Sequence, residues 1–165
     1  MALQKVRERV KIGQYWLVDA DIKSFFDSIP LVQLTKILKQ YIGDRETLWL
    51  MEKWLAQGAH HHSFLAKKRG ISQGAILSPL FCNLYLHTLD TALSKANIPF
   101  VRFADDLLLF SSEKQKAEQA LKFLGKQLNK LDLTLHPQKT QVVRSHSGVI
   151  FLGEPLPNIS RKNKI

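Results

Sequence analysis

Two adjacent carboxylates, Asp105 and Asp106, interrupt an apolar run between residues 100 and 110. With Val101 and Phe103 before them and Leu107, Leu108 and Leu109 after, the stretch predicts a hairpin whose tight turn carries both acids. Neighbouring carboxylates resist ionising together, and a divalent cation is the usual group that offsets them. Alone, such a pair also reads as a solvated turn. A second acidic strand changes the balance. Residues 15–22 alternate, with Trp16, Val18, Ala20 and Ile22 on one side and Asp19 and Asp21 on the other. Two-metal phosphoryl transfer requires carboxylates converging from different elements onto cations about 4 Å apart. A strand ending at Asp21 beside a turn carrying Asp105 and Asp106 meets that demand, and the strand's exit leaves the Ile22 carbonyl as a further oxygen ligand.

The rest of the chain supplies a scaffold. Pro30 opens a helix with Leu34, Ile37, Leu38 and Tyr41 at helical spacing. Gly43 breaks it, and Asp44 caps a second helix with Leu48, Met51 and Leu55 inward and Gly58 beyond its end. Residues 60–69 read as a polar, basic loop. Ser78-Pro79 starts a helix to about Ala96, with Cys82, Leu86, Leu89 and Leu93 on one stripe. Ser112 and Gln115 suggest a capping box for a helix burying Ala117, Leu121, Leu124 and Leu128. Strands are expected at 131–135, 139–143 and 148–153, and residues 154–165 read as a basic linker or tail. This order favours an α+β fold, an antiparallel sheet with helices packed on one face.

At 165 residues, with 45% hydrophobic and 23% charged residues, the chain has the composition of an ordinary globular domain. Its formal net charge of +10 suits a polyanionic partner. A single cysteine, Cys82, excludes an internal disulfide framework and fits a reducing compartment. Residues 1–11 form a short basic amphipathic helix without a signal peptide's apolar stretch, so no membrane partner and a cytoplasmic location are expected.

These residues carry a family resemblance. The run from Asp21 through Ile22, Lys23, Ser24, Phe25 and Phe26 to Asp27 resembles the first palm motif of prokaryotic reverse transcriptases, particularly those of group II introns. The stretch 70–79, with Gln73 and Gly74, resembles their nucleotide-side loop and helix, and Phe103-Ala104-Asp105-Asp106 their aspartate pair. Lys139-Thr140 and Phe151-Leu152-Gly153 resemble the last two palm motifs, and all five fall in the family's order between Gln14 and Gly153.

The resemblance implies a ferredoxin-like polymerase palm over residues 1–153, working as an RNA-directed DNA polymerase. It implies Asp21, Asp105 and Asp106 as the catalytic triad, holding with the Ile22 carbonyl two Mg²⁺ ions for which Mn²⁺ substitutes. Asp19 shares the strand face, but the motif aligns on Asp21. Phe26 would be the steric gate that selects deoxynucleotides, with core packing as its plainer reading. Gln73 and Gly74 would line the nucleotide and template pocket, and Lys139 would approach the triphosphate or remain a solvated lysine. Phe151, Leu152 and Gly153 would form the primer grip. The implied partners are an RNA template, a DNA primer and dNTPs. The family also carries a fingers region before the first palm motif and a thumb after the grip. Residues 1–11 are the chain's one counterpart to these, so poor polymerisation by the isolated chain is expected.

Ser72 stands where the intron family usually has proline, Ala75 where glycine is common, and Phe103 where tyrosine is commoner. None of these removes an acidic residue, and together they suggest a divergent branch. Residues 97–102 resemble CRISPR-associated reverse transcriptases, often fused to the adaptation integrase, which implies that integrase as a fused or associated partner. An intron-type maturase fragment and a non-catalytic nucleic-acid-binding palm remain alternatives. His60, His61 and His62 diverge as consecutive side chains and read as a solvated loop. Lys67, Lys68 and Arg69 read equally as surface or as template-phosphate contacts, and Trp16, Trp49 and Trp54 as core.

Overall fold

A computed structural model describes residues 2–58 and 69–156. Its centre is a four-stranded antiparallel sheet in the order β2-β3-β1-β4, made of β1 (Trp16–Ala20), β2 (Phe100–Phe103), β3 (Asp106–Ser111) and β4 (Gln141–Arg144). On one face, Val18, Ala20, Leu107 and Leu109 pack into the main core with α3 (Leu31–Tyr41), α5 (Ser78–Lys95) and α6 (Lys114–Lys130). The stripe of α5 is buried as its spacing predicts, at Cys82, Leu86, Leu89 and Leu93. α4 (Arg45–Gly58) packs outside α3, its first turn capped by Asp44, whose Oδ2 accepts the Thr47 N–H at 2.7 Å.

The helical layer on one face is present as expected, and the other face is partly covered as well. Leu17, Val101, Leu108 and Phe110 form a second cluster with Val6 and Val10 of α1 (Ala2–Lys11) and with Val149, Phe151 and Leu156 around a small β5 (Ile150–Phe151) and β6 (Glu154–Pro155) hairpin. The expected tail from residue 154 therefore begins inside ordered structure. Leu156 is buried and its N–H donates to the Val149 carbonyl at 2.8 Å, so apolar burial carries the fold past Gly153.

Local details differ from the sequence reading for identifiable reasons. The 100–110 turn contains Ala104 and Asp105, because Asp106 already pairs with Phe103 as the first residue of β3. Ser111, rather than Ser112, serves the start of α6, its Oγ accepting the Glu113 N–H at 3.2 Å. Residues 131–135 form no named strand, since Asp132 sits at φ 57° and only the isolated Ile22–Leu135 bridge is extended pairing. Ser78 is the first residue of α5 rather than its cap, and its hydroxyl donates to the Ser72 carbonyl. Gly58 ends α4 from inside. Tyr41, Trp49 and Trp54 are exposed rather than core. A four-residue helix, α2 (Phe25–Ser28), directly follows the acidic end of β1.

Candidate active site

Strand register brings the acids together. β1 and β3 pair Ala20 with Leu107, so continuing one residue sets Asp21 opposite Asp106. Side chains alternate along a strand, which places Leu17, Asp19 and Asp21 on the same sheet face as Phe110, Leu108 and Asp106. The apolar half of that face lies under α1 and the β5–β6 hairpin. The acidic half opens into a cleft of about 550 Å³ whose lining includes Asp21, Asp105, Phe26, Gln73, His136 and Lys139.

The backbone at Asp21 is fixed from a distant part of the chain. Its N–H donates to Thr140 Oγ1 and its carbonyl accepts the Thr140 hydroxyl, both at 3.3 Å, while the His136 N–H donates to the same carbonyl at 2.8 Å. The Ile22–Leu135 bridge is closed by the Asp21 carbonyl and by the Lys23 N–H, which donates to Thr134 at 2.9 Å. The bridge thus leaves the Ile22 carbonyl itself uncommitted, and Ile22 lines the cleft.

The charges repel. The Asp106 carboxyl is pushed above its ordinary value of 3.8, first by partial burial and then by Asp105, Asp21 and Asp19. Asp19 is also raised, by burial, against a hydrogen bond from Gln141 that lowers it, with Asp21 adding to the rise. Among the described residues the countercharge paired with these acids is Lys139, whose Nζ lies 3.8 Å from Asp21 Oδ2 with both side chains well solvated, a geometry that screens strongly. Four acids share this end of a strongly basic protein.

The expected nucleotide-side residues divide. Phe26, Gln73 and Lys139 border the cleft with the acids. Phe26 is partly buried against the main core, with its ring edge-on to Phe25 at 5.6 Å, so it combines a packed side and a cleft side. Gly74 instead borders a neighbouring apolar cavity beside Trp54 and Ile76, and its φ of 81° is a conformation suited to glycine. Phe151 is buried in the second cluster, and Leu152 and Gly153, at φ 53° and 79°, form the two-residue turn of the β5–β6 hairpin. Arg69 is engaged within the fold: it pairs with Asp132, and its Nη1 donates to the Ser28 carbonyl at 2.9 Å. His60, His61, His62, Lys67 and Lys68 lie outside the described residues.

Sequence reasoning missed His136 and the backbone-clamping role of Thr140. Both lie more than 100 positions from Asp21, and only the Lys139-Thr140 motif hinted at the second. Arg102 was missed too. Its guanidinium holds the aspartate turn from below, donating to the Ala104 carbonyl at 2.8 Å. Ala104 takes a left-handed φ of 53°, which costs a residue with a Cβ about 1–2 kcal/mol.

Among the described residues, no three His, Cys, Asp or Glu side chains close into a finished metal cage. The donor chemistry nevertheless fits a hard divalent cation. Asp21, Ile22 and Asp105 line an open cleft, with Asp106 next to Asp105, so carboxylates and a backbone carbonyl supply oxygen donors there, and a dication would offset the part of the rise at Asp106 that its acidic neighbours add to burial.

Comparison with known proteins agrees with this geometry. Residues 3–156 match the family model described as reverse transcriptase (RNA-dependent DNA polymerase). The chain is 29% identical over 154 residues to the group II intron-encoded protein LtrA of Lactococcus lactis subsp. cremoris, covering 93% of this chain and 25% of that protein. It is 24% identical over 177 residues to protein YkfC of Escherichia coli K12, covering 86% of this chain and 46% of that one. The chain thus spans between a quarter and half the length of these relatives. In fold it resembles telomerase from Candida tropicalis in complex with a TWJ fragment of telomeric RNA, with a TM-score of 0.63 at 13% identity over 98% of this chain and 32% of that one. Reverse transcriptases generally use divalent metal ions, in keeping with the carboxylate oxygens of Asp21 and Asp105 in the cleft. No helix among the described residues is long and apolar enough to cross a membrane. With residues 3–156, nearly its whole length, matched by one family model, the chain belongs to the reverse transcriptase family.

Proposed function

We propose that this domain is the palm of an RNA-directed DNA polymerase, in which a DNA primer's 3′-hydroxyl attacks the α-phosphate of a dNTP opposite an RNA template. The observation that carries the reading is the single cleft shared by Asp21, Phe26, Gln73 and Asp105, residues drawn from three separate segments. Asp21, Asp105, Asp106 and the Ile22 carbonyl hold two Mg²⁺ ions, with Mn²⁺ as substitute. When bound, these ions make the primer hydroxyl more acidic and stabilise the charge of departing pyrophosphate.

The chain's own residues orient the reactants. Thr140 and the His136 N–H keep Asp21 facing the cleft. Phe26 stands under the sugar and leaves no room for a 2′-hydroxyl, while Gln73 and Gly74 border the base pair. Lys139 meets the triphosphate and is released from Asp21 as it does so. Phe151 anchors the Leu152-Gly153 turn, which grips the primer. Net positive charge draws the nucleic acid to the surface.

We further propose a palm unit ending near Leu156, a basic tail beyond it, and a cytoplasmic setting in keeping with the one buried, unbridged cysteine. The likeness to LtrA favours an intron-type enzyme as the parent. The 97–102 stretch supports the other parentage, an enzyme working with a CRISPR adaptation integrase. The test is primer extension on an RNA template in Mg²⁺ by the complete natural protein, wild type against Asp105→Ala. Loss of extension in the variant is expected. Equal extension by both overturns the catalytic reading in favour of a palm that only binds nucleic acid.

A further inference from the structure

Beneath the aspartate turn lies a charged cluster that no step of the proposed chemistry uses. Arg102, on β2, points to the helical side of the sheet, opposite to its neighbour Phe103, which is exposed. Its Nε and Nη2 donate to the two carboxylate oxygens of Asp90 at 2.8 and 2.5 Å. Its Nη1 donates to Asn83 Oδ1 at 2.9 Å and to the Ala104 carbonyl at 2.8 Å. Only 9% of the arginine side chain and 21% of the aspartate remain exposed. Asn83 and Asp90 are seven residues apart on α5, two turns along one helix face, so a rigid helix presents both acceptors.

One planar guanidinium thereby connects the longest helix to the carbonyl of Ala104, the residue before Asp105. Two features make this more than a pin between helix and sheet. Ala104 adopts a left-handed backbone that alanine disfavours, so something must hold it there. Among the described residues, the contact to its carbonyl is the one side-chain hydrogen bond to the turn backbone. The fork geometry also matters. Arginine satisfies a carboxylate bidentately while keeping a third donor free for another acceptor, which a lysine ammonium does not reproduce.

We propose that Arg102 is a positioning residue for the metal-binding turn: clamped on Asp90 and Asn83, it sets the Ala104 carbonyl and hence the direction in which Asp105 and Asp106 enter the cleft. This rests on the proposed polymerase reading. Arg102 touches no reacting atom and acts through the turn alone.

The experiment compares Arg102→Lys and Asp90→Asn with wild type in the complete natural protein. Mn²⁺ binding is followed by water proton relaxation and counted as the portion lost in Asp105→Ala. Melting temperature and the Mg²⁺ dependence of primer extension are read in parallel. Arg102→Lys keeps the ion pair and loses the Ala104 bond, so its Mn²⁺ dissociation constant and half-saturating Mg²⁺ should both rise about tenfold, the scale seen for groups that orient metal ligands. Its dNTP KM at saturating Mg²⁺ should stay unchanged. Asp90→Asn keeps the Ala104 bond and weakens the helix anchor, so it should lower the melting temperature more while leaving Mn²⁺ affinity within about twofold. Metal affinity that tracks melting temperature in both variants, or that is unaltered in Arg102→Lys, overturns the positioning role and leaves polymerase activity standing. A wild type that neither extends a primer nor binds Mn²⁺ at this site overturns the polymerase reading and this inference with it.

Discussion

One face of the central sheet holds two regions of opposite character only two residues apart. At Leu17, Leu108 and Phe110 it is sealed by α1 and the β5–β6 hairpin. At Asp21 and Asp106 the same strands, in the same register, carry carboxylates, and Asp21 lines an open cleft. Strand pairing is common to both halves, so it does not explain the difference. Coverage does. An apolar lid over Leu108 gains from removing hydrocarbon from water, whereas the same lid over Asp21 and Asp106 would bury charge without a partner. The cover therefore ends where the acids begin. The open end retains repulsion among its carboxylates, which a dication bound there would offset.

Substitutions in the two halves should have separate consequences. The largest effect belongs to the acidic half: Asp21→Asn should cut primer extension by roughly a thousand-fold, with the melting temperature of the metal-free protein unchanged or higher. Extension within tenfold of wild type would break the contrast. In the sealed half, Leu108→Ala should lower unfolding free energy by about 3 kcal/mol in denaturant titrations. Mn²⁺ affinity measured well below the transition should stay the same, and a parallel loss of affinity would show that the two halves are not independent.

A third measurement sharpens the electrostatic side. The Asp106 carboxyl is raised in the folded protein, so in metal-free buffer the folded state binds more protons than the unfolded one at pH values above 3.8 and below that raised value. Stability should therefore fall as pH rises through this window, and the deficit should persist at neutral pH. Asp106→Asn should reduce the fall, leaving the share that the raised Asp19 contributes, and raise the neutral-pH melting temperature slightly, whereas added Mg²⁺ should act on wild type only. The smallest effect is expected at the seam between α1 and the hairpin. Arg7 and Glu154 pair at 3.1 Å with both side chains more than half exposed, so Arg7→Ala should cost less than about 1 kcal/mol.

Much of this arrangement was legible in residue pattern. The alternation ending at Asp21, the buried stripe from Cys82 to Leu93 and the cap at Asp44 each depend on neighbours within a few positions, and each is present. The misreadings were local geometry overruled by distant contacts. Leu131, Leu133 and Leu135 alternate as a strand would, yet Asp132 turns the chain so that Leu133 enters the core beside α6 and only Leu135 meets Ile22. Ser112 looked the better cap because Gln115 follows at the right spacing, but β3 runs one residue further than its pattern suggested, Glu113 takes the cap position, and Ser111 Oγ instead accepts the Glu113 N–H ahead of the helix.

The acids, the apolar runs that carry them and the order of the motifs could be read without coordinates, because strand periodicity and adjacent charge are properties of short stretches. The fixing of Asp21 by Thr140, the support of the Ala104 turn by Arg102 and Asp90, and the sealing of half a sheet face by α1 could not. Apart from the short Arg102–Ala104 bond, these join residues between 12 and more than 100 positions apart, or elements whose apolar faces fit several surfaces equally well. Their partners are chosen only when the whole chain is packed, since a hydrogen bond or a buried pair gains its strength from the water that surrounding elements exclude.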